Sequence, residues 1–243
     1  ERVSAYYNLT AREVFASARE AGAAILQVNH PRMPPAIGYF DQLHLDARTG
    51  LADANFSTDF DAVEAFNGMW LETPARVREG ARDLVGLARR GHRAAATGNS
   101  DSHHLLYEEP GWPRTYVRMD RAALGAAPGQ ALADALRRGQ TTVSAGPFVE
   151  LWVEGQGPGA TVTARPGGRV RVRVRVSAPS WIAVDRVELW TDDRAQALPV
   201  TLTNADGVRG EYEADVPVTR DVVLLAWAEG NTPLVGVLPY ADA

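Results

Sequence analysis

The segment from Gly98 to His104 combines one carboxylate with two imidazoles in a loop rich in glycine and serine. It follows a run of small residues, 93–97, which predicts a short buried strand. Residues two apart in an extended chain point to the same side, so Asp101 and His103 can face one ion while His104 points away. Carboxylate and imidazole are ligands for divalent metals, and the segment therefore predicts a metal site. A polar turn whose side chains only hydrogen-bond the backbone is the alternative.

A third histidine stands at the end of another predicted buried strand. Residues 23–28 are mostly apolar, and His30 follows them directly before Pro31, which stops the strand. A single histidine at a strand end is more often structural than ligating. Two such clusters in one α/β region favour a shared metal site, to which His30, Asp101 and His103 would contribute.

Five short motifs occur in order along residues 9–150. They are Asn-His-Pro at 29–31, Phe-Asp-Ala-Val-Glu-Ala-Phe-Asn-Gly at 60–68, Gly-Asn-Ser-Asp-Ser-His at 98–103, Pro-Arg-Thr-Tyr-Val at 113–117 and Val-Ser-Ala-Gly-Pro-Phe at 143–148. In this order they resemble the CehA/McbA, or carbaryl-hydrolase-type, metallohydrolases of the PHP (polymerase and histidinol phosphatase) superfamily. The resemblance implies a distorted α/β barrel that holds two or three metal ions, with His30, Asp101 and His103 as metal ligands. The family's early His-x-His motif, and the Asp, His and Glu ligands that follow it, have no counterpart here and would lie before Glu1.

The elements that would position these residues follow a repeating pattern of helix, glycine and strand. A capping box at Thr10–Glu13 opens the first helix, Thr73-Pro74 opens the second, and the third covers residues 130–138. Such alternation predicts a parallel sheet or barrel. A closed barrel needs about 200 to 250 residues, but the pattern ends near residue 146. We therefore expect residues 1–146 to form part of a distorted α/β barrel, which a missing N-terminal segment or a second chain would complete.

From Pro147 onward the periodicity changes to two. Valines alternate with arginines over residues 169–176, and further short strands are predicted at 149–153, 185–190, 198–203, 210–216 and 222–228. About seven short strands predict an immunoglobulin-like or fibronectin-like β-sandwich over residues 147–243. The arginine row is interpreted as the solvated face of an edge strand, with binding to an anionic polymer or to the other domain as alternatives. The tryptophans of this region are expected mostly in the core, or else as a sugar-stacking surface; they are Trp152, Trp181, Trp190 and Trp227.

Composition excludes several classes of protein. The chain has 243 residues, of which 45% are hydrophobic, and a formal net charge of −5, which argues against nucleic acid as a partner. No apolar run approaches the ~18 residues of a membrane span. The absence of cysteine leaves only nitrogen and oxygen ligands, which suit Zn, Mn or Fe. Composition does not decide the cellular compartment.

The sequence thus predicts a metal-dependent hydrolase in which a metal-activated water attacks a carbamate, ester or amide bond of a small-molecule substrate. Because part of the ligand set is missing, this chain is expected to be weakly active or inactive alone. A PHP-type phosphoesterase is one alternative, and a non-catalytic binding or scaffold protein on a degenerate barrel is another. Arg32, His104 and Arg114 are candidate substrate-binding residues. Glu64 fits either a polar residue near the metals or a buried partner for an arginine. Weaker candidates lie in the two long loops, namely Tyr39, His44, Glu108, Glu109 and Trp112.

Overall fold

A computed structural model describes residues 8–68, 73–104, 110–164 and 168–232. Glu108 and Glu109 lie outside these ranges. The described helices are α1 (Ala11–Glu20), α2 (Tyr39–Gln42), α3 (Pro74–Arg89), α4 (Arg121–Ala126) and α5 (Pro128–Arg137). The strands are β1 (Gln27–Val28), β2 (Ala62–Asn67), β3 (Ala95–Asn99), β4 (Arg114–Val117), β5 (Thr141–Ser144), β6 (Phe148–Val153), β7 (Arg169–Ala178), β8 (Arg186–Thr191), β9 (Arg194–Ala197), β10 (Gly207–Pro217) and β11 (Leu224–Glu229).

The first strands form a small parallel sheet in the order β1-β2-β3. Helix α3 connects β2 to β3 and packs closely on β2, because a Cβ at Gly80 would lie only 2.8 Å from the carbonyl oxygen of Ala65. The capping signals act as predicted. Thr10 and Glu13 form a complete capping box before α1, and Pro74 is at the first turn of α3, whose N-cap is Thr73.

The parallel arrangement does not continue beyond β3. β5 was expected as the next parallel strand, but it pairs antiparallel with β4 in a two-stranded sheet. This pair joins the parallel sheet at Gly98, whose backbone N–H donates to the Thr115 hydroxyl at 2.9 Å. A helical pattern, a glycine and a strand pattern in succession predict that a helix and a strand form. They do not determine whether that strand pairs parallel or antiparallel.

The expected fold class is therefore wrong. The described strands lie mostly in small antiparallel sheets, with few helices and without a closed barrel, which does not match the distorted α/β barrel of a PHP protein. The predicted strand over residues 23–28 is reduced to two residues, and residues 198–203 do not form a strand. Pro199 lacks the N–H that a ladder requires, although Leu198, Val200 and Leu202 still pack on the core.

Two three-stranded antiparallel sheets, β6-β7-β10 and β9-β8-β11, enclose the core of the C-terminal region. The alternating valines of β7 pack against Val187 and Leu189 of β8. β7 is the central strand of its sheet, so its interpretation as an edge strand is also wrong. The proposed boundary at residues 146/147 falls between β5 and β6 and stays a prediction.

Candidate functional site

The carboxyl ends of the three parallel strands bring together a group of polar side chains. His30 follows β1, Glu64 and Asn67 belong to β2, and Asn99 is the last residue of β3. Asp101 and His103 follow β3 in the next loop. Parallel strands end at the same edge of a sheet, which is why residues from distant parts of the sequence meet here.

Glu64 is the centre of this group. It is only 4% exposed, and its Oε2 lies 2.9 Å from His30 Nδ1 and 2.8 Å from the His30 backbone nitrogen. Its Oε1 accepts a hydrogen bond from Asn99 Nδ2 at 2.8 Å. Both carboxylate oxygens therefore have donors. Of the two interpretations of Glu64, these contacts favour the polar residue beside the predicted site over an arginine partner.

Asn67 links the two carboxylates of the site. Its Nδ2 lies 3.1 Å from Asp101 Oδ2, 3.3 Å from Glu64 Oε2 and 3.1 Å from His30 Nδ1. Carboxylates are stronger acceptors than a neutral imidazole, so the two amide hydrogens favour Asp101 and Glu64. His30 Nδ1 can then keep its proton and donate to Glu64, which leaves the Nε2 lone pair directed away from the buried carboxylate.

Asp101 lies between the two predicted histidine ligands. Its Oδ2 is 3.7 Å from His30 Nε2, and its Oδ1 is 3.6 Å from His103 Nε2. These distances exceed a hydrogen bond. His30 and Asp101 both have left-handed backbones, with φ of 47° and 54°. Within the described ranges, no three His, Asp or Glu side chains are grouped so as to hold a metal ion as they stand.

Arg32 is engaged inside the protein. Its Nε and Nη2 each donate to the Asp83 carboxylate at 2.7 Å, Nη2 also donates to the Leu45 carbonyl, and Nη1 contacts Asp41 at 3.3 Å. Asp83 is fully buried, and this burial raises its pKa to about 6, although the Arg32 guanidinium acts in the opposite direction. The contacts give Arg32 a structural role, and its predicted role in substrate binding has no support from them.

The other two predicted substrate-binding residues lie near the surface. His104 is exposed, with its ring centroid 6.5 Å from that of His103. Arg114 is exposed at the start of β4, next to β3. Both positions are open to solvent on the side of the candidate site where β3 ends, and their roles stay predictions.

The weaker loop candidates that the structure describes have internal contacts. The Tyr39 hydroxyl donates to the Ser57 carbonyl, and the Trp112 indole N–H donates to the Ala145 carbonyl. His44 Nδ1 lies 2.8 Å from Asp53 Oδ2, with a side chain that is 76% exposed. None of these three contacts involves the group around Glu64.

A large cavity lies away from this group of side chains. It measures about 1800 Å³ and lies between α3 and the strands β5, β6 and β11. Its walls include Val77, Leu84, Val149 and Leu224, so it is mainly an apolar space between two packed regions. Neither His30 nor Asp101 lines it, so the polar group at the strand ends is separate from this cavity.

Two members of this group, Asn67 and Asn99, were not identified as functional residues from the sequence. Each ends a strand whose preceding residues are largely apolar. An amide at that point is a weak signal, because asparagine is common wherever strands end. Its position relative to Glu64 becomes evident only when the sheet is assembled.

Comparison with protein-family models, with curated proteins and with solved structures finds no match to this chain. In the part of the chain that the structure describes, no helix combines the length and the apolar character of a membrane span.

Proposed function

We propose that this chain is a divalent-metal-dependent hydrolase with His30, Asp101 and His103 as metal ligands. The observation that carries the proposal is the arrangement Glu64–His30–Asp101, in which a buried carboxylate contacts one imidazole nitrogen and the other nitrogen faces a second carboxylate. Metal-binding histidines usually donate their second N–H to a carboxylate or carbonyl, which fixes the tautomer and the ring. The ordered motifs that resemble carbaryl-hydrolase-type enzymes support the same function.

The distance from Asp101 to each of the two imidazoles is close to what an ion requires. For metal–ligand bonds of roughly 2.1 Å, neighbouring ligand atoms lie about 3.0 to 3.4 Å apart. The distances from Asp101 to the two imidazoles are 3.7 and 3.6 Å. Small side-chain rotations would close them, and the His103 side chain is 61% exposed. The donor types fit Zn, Mn or Fe, although the group is not a ready-made site.

The protein groups have distinct roles in this proposal. Glu64 holds the His30 ring, and Asn67 holds Asp101 through the contact with Oδ2. When bound, a divalent ion lowers the pKa of a coordinated water and polarises a carbonyl oxygen. A phosphoester substrate would need a cation close by; Arg32 is bound to Asp83, which leaves the exposed Arg114 as the candidate for that role. The preference for a carbamate, ester or amide as the bond that is cleaved therefore rests on the resemblance to the carbaryl-hydrolase-type enzymes.

The test is metal binding by the purified chain, measured by calorimetry with Zn²⁺ and Mn²⁺. Three protein ligands should bind one ion weakly, and the double variant Asp101→Ala/His103→Ala should lose that binding. Glu64→Gln should weaken binding about 10- to 100-fold, because it changes the partner of His30 and keeps all three ligands. His44→Ala is the matched control, since His44 is an exposed histidine paired with Asp53.

Two results would contradict the proposal. One is equal metal binding by the parent and the double variant, which would mean that the ligands are wrongly assigned. The other is metal-dependent turnover of aryl carbamates, carboxyl esters or amides that persists in His30→Ala, which would mean that the hydrolase site lies elsewhere in the protein.

A non-catalytic binding protein is the second candidate. The lack of a ready-made metal group among the described residues favours it. On this hypothesis Glu64, Asn67 and Asn99 only stabilise the loops after the strands. Metal would then leave the thermal midpoint of the parent unchanged, whereas a specific metal site would raise it as the metal concentration increases.

A further inference from the structure

Strands β8 and β11 carry a second polar group, far in sequence from the first. Trp190 and Glu188 are two residues apart on β8, and Trp227 and Glu229 are two apart on β11, so all four lie on one face of this strand pair. The opposite face packs into the core through Val187 and Leu189. Although it faces outward, Trp190 is fully buried and Glu188 is 4% exposed. Another element must cover this face.

The four side chains are arranged against one another. The two indole rings stack with centroids 5.7 Å apart and an interplanar angle of 23°. Each indole N–H donates to a carboxylate at 2.9 Å, Trp190 to Glu188 and Trp227 to Glu229. The result is an aromatic wall with two oriented carboxylates beside it, which is the arrangement that attracts a flat cation.

Arg78 of α3 occupies this place. Its Nη1 donates to Glu188 Oε2 at 2.8 Å and its Nη2 donates to Glu229 Oε2 at 2.7 Å. Its Cζ lies 4.7 Å from the Trp227 ring centroid and 5.6 Å from that of Trp190. Arg186 contacts the other oxygen of each carboxylate, at 2.7 and 2.9 Å. Each of the four carboxylate oxygens therefore has a cationic partner.

The geometry suits a guanidinium group better than an ammonium group. Two nitrogens in one plane reach two separate carboxylates, while the central carbon lies over the indole rings. An ammonium group is a strongly hydrated point charge that lacks both the fork and the flat face. A lysine at position 78 could keep the charge, but it could not reproduce this combination of contacts.

We propose that the outer face of β8 and β11, formed by Glu188, Trp190, Trp227 and Glu229, is a guanidinium-binding site that Arg78 occupies in cis. Its occupation fixes α3 on the sandwich, and α3 in turn packs on β2 through Gly80 and Ala65. When the Arg78 side chain is removed, the site accepts a small guanidinium ion from solution. This site is separate from the proposed metal ligands, and it stands whether or not the chain is a hydrolase.

The test is titration of Arg78→Ala with methylguanidinium, followed by tryptophan fluorescence at constant ionic strength. Far-ultraviolet circular dichroism establishes first that the variant is folded. We expect a saturable change in Arg78→Ala at millimolar concentrations, with methylammonium binding about tenfold more weakly or not at all. The parent should show no saturable change, because its own arginine fills the site. Arg76→Ala, altered two residues away on the same helix, should behave as the parent does.

The proposal is overturned if folded Arg78→Ala shows no saturable response, responds equally to methylammonium, or responds no more than Arg76→Ala. If Arg78→Ala does not fold, the urea midpoint of unfolding is measured for Arg78→Lys and compared with that of the parent. A midpoint well below that of the parent supports selection for guanidinium. An unchanged midpoint contradicts it, because charge alone would then suffice.

Discussion

The region of the parallel sheet contains two carboxylates that are withdrawn from water, Glu64 and Asp83, whereas the paired charges on the sheet β6-β7-β10 are exposed. Glu64 and Asp83 are almost completely buried, and each has several defined hydrogen bonds. On β7 and β10, Arg171 and Glu213 pair at 2.7 Å with side chains that are 58% and 48% exposed. The two regions therefore use the same types of side chain under very different solvation.

The exposed charges form an alternating ladder. The register places Glu211, Glu213 and Asp215 of β10 opposite Arg175, Arg173 and Arg171 of β7. Cross-strand pairs of opposite charge stabilise a sheet modestly, and water screens them. The carboxylates of β10 therefore neutralise most of the positive charge of the arginines on β7. The comparison supports our choice of candidate site, because perturbed ionisable groups concentrate at functional sites where polar groups are withdrawn from water rather than where exposed charges are most numerous.

The largest expected effect is on stability, from Arg32→Ala. This change leaves the Asp83 carboxylate fully buried without its bidentate partner, which should lower the free energy of unfolding by about 3 to 5 kcal/mol. Urea unfolding of the parent and the variant measures it. The matched control is Arg171→Ala on the exposed ladder, which should leave the curve almost unchanged. Similar losses in the two variants would contradict the contrast between the regions.

The second prediction concerns the pH dependence that Asp83 gives to folding. Its pKa is about 6 in the folded chain, against the usual 3.8, so the folded state keeps a proton that the unfolded state releases. The contribution of Asp83 to the free energy of unfolding therefore increases by up to about 3 kcal/mol as the pH falls from 6 to 4. Above pH 6 this contribution is constant.

Asp83→Asn isolates this contribution, because asparagine has nearly the same shape and does not titrate in this range. The unfolding free energy of the parent minus that of the variant should grow as the pH is lowered from 7 to 4. Urea curves at several pH values measure this difference. A difference that stays flat, or that shrinks at low pH, would mean that the pair with Arg32 outweighs the cost of burial.

Local signals in the sequence predicted the starts of α1 and α3, because Thr10 and Pro74 act within one helical turn. The sequence also predicted that His30 and Asp101 would lie near each other, and they do, because each follows a strand that pairs in parallel with β2. The helix starts depend only on residues close together in the chain. The proximity of His30 and Asp101 depends only on the strands of one parallel sheet.

The wrong predictions concern the pairing of strands that are far apart in the sequence. The direction of β5 depends on its pairing with β4, more than twenty residues earlier, and the central position of β7 depends on β6 and β10. Neither can be inferred from the pattern within a single strand. Asn67 was overlooked for the same reason, since its amide has significance only beside Glu64 and Asp101.

The smallest effect on stability is expected on the ladder, where a change in binding would be the informative result. Replacing Glu211→Gln, Glu213→Gln and Asp215→Asn together should leave the fold intact and expose the arginines of β7 as a cationic stripe. The variant should be retained on immobilised heparin in a salt-dependent way, whereas the parent should not.

A control that removes three exposed carboxylates elsewhere, Glu20→Gln/Asp193→Asn/Asp221→Asn, has the same net charge. Equal retention of the two triple variants would show that net charge decides binding. No retention of either would show that Glu150 and Glu154, beside the same arginines, are sufficient to neutralise the row.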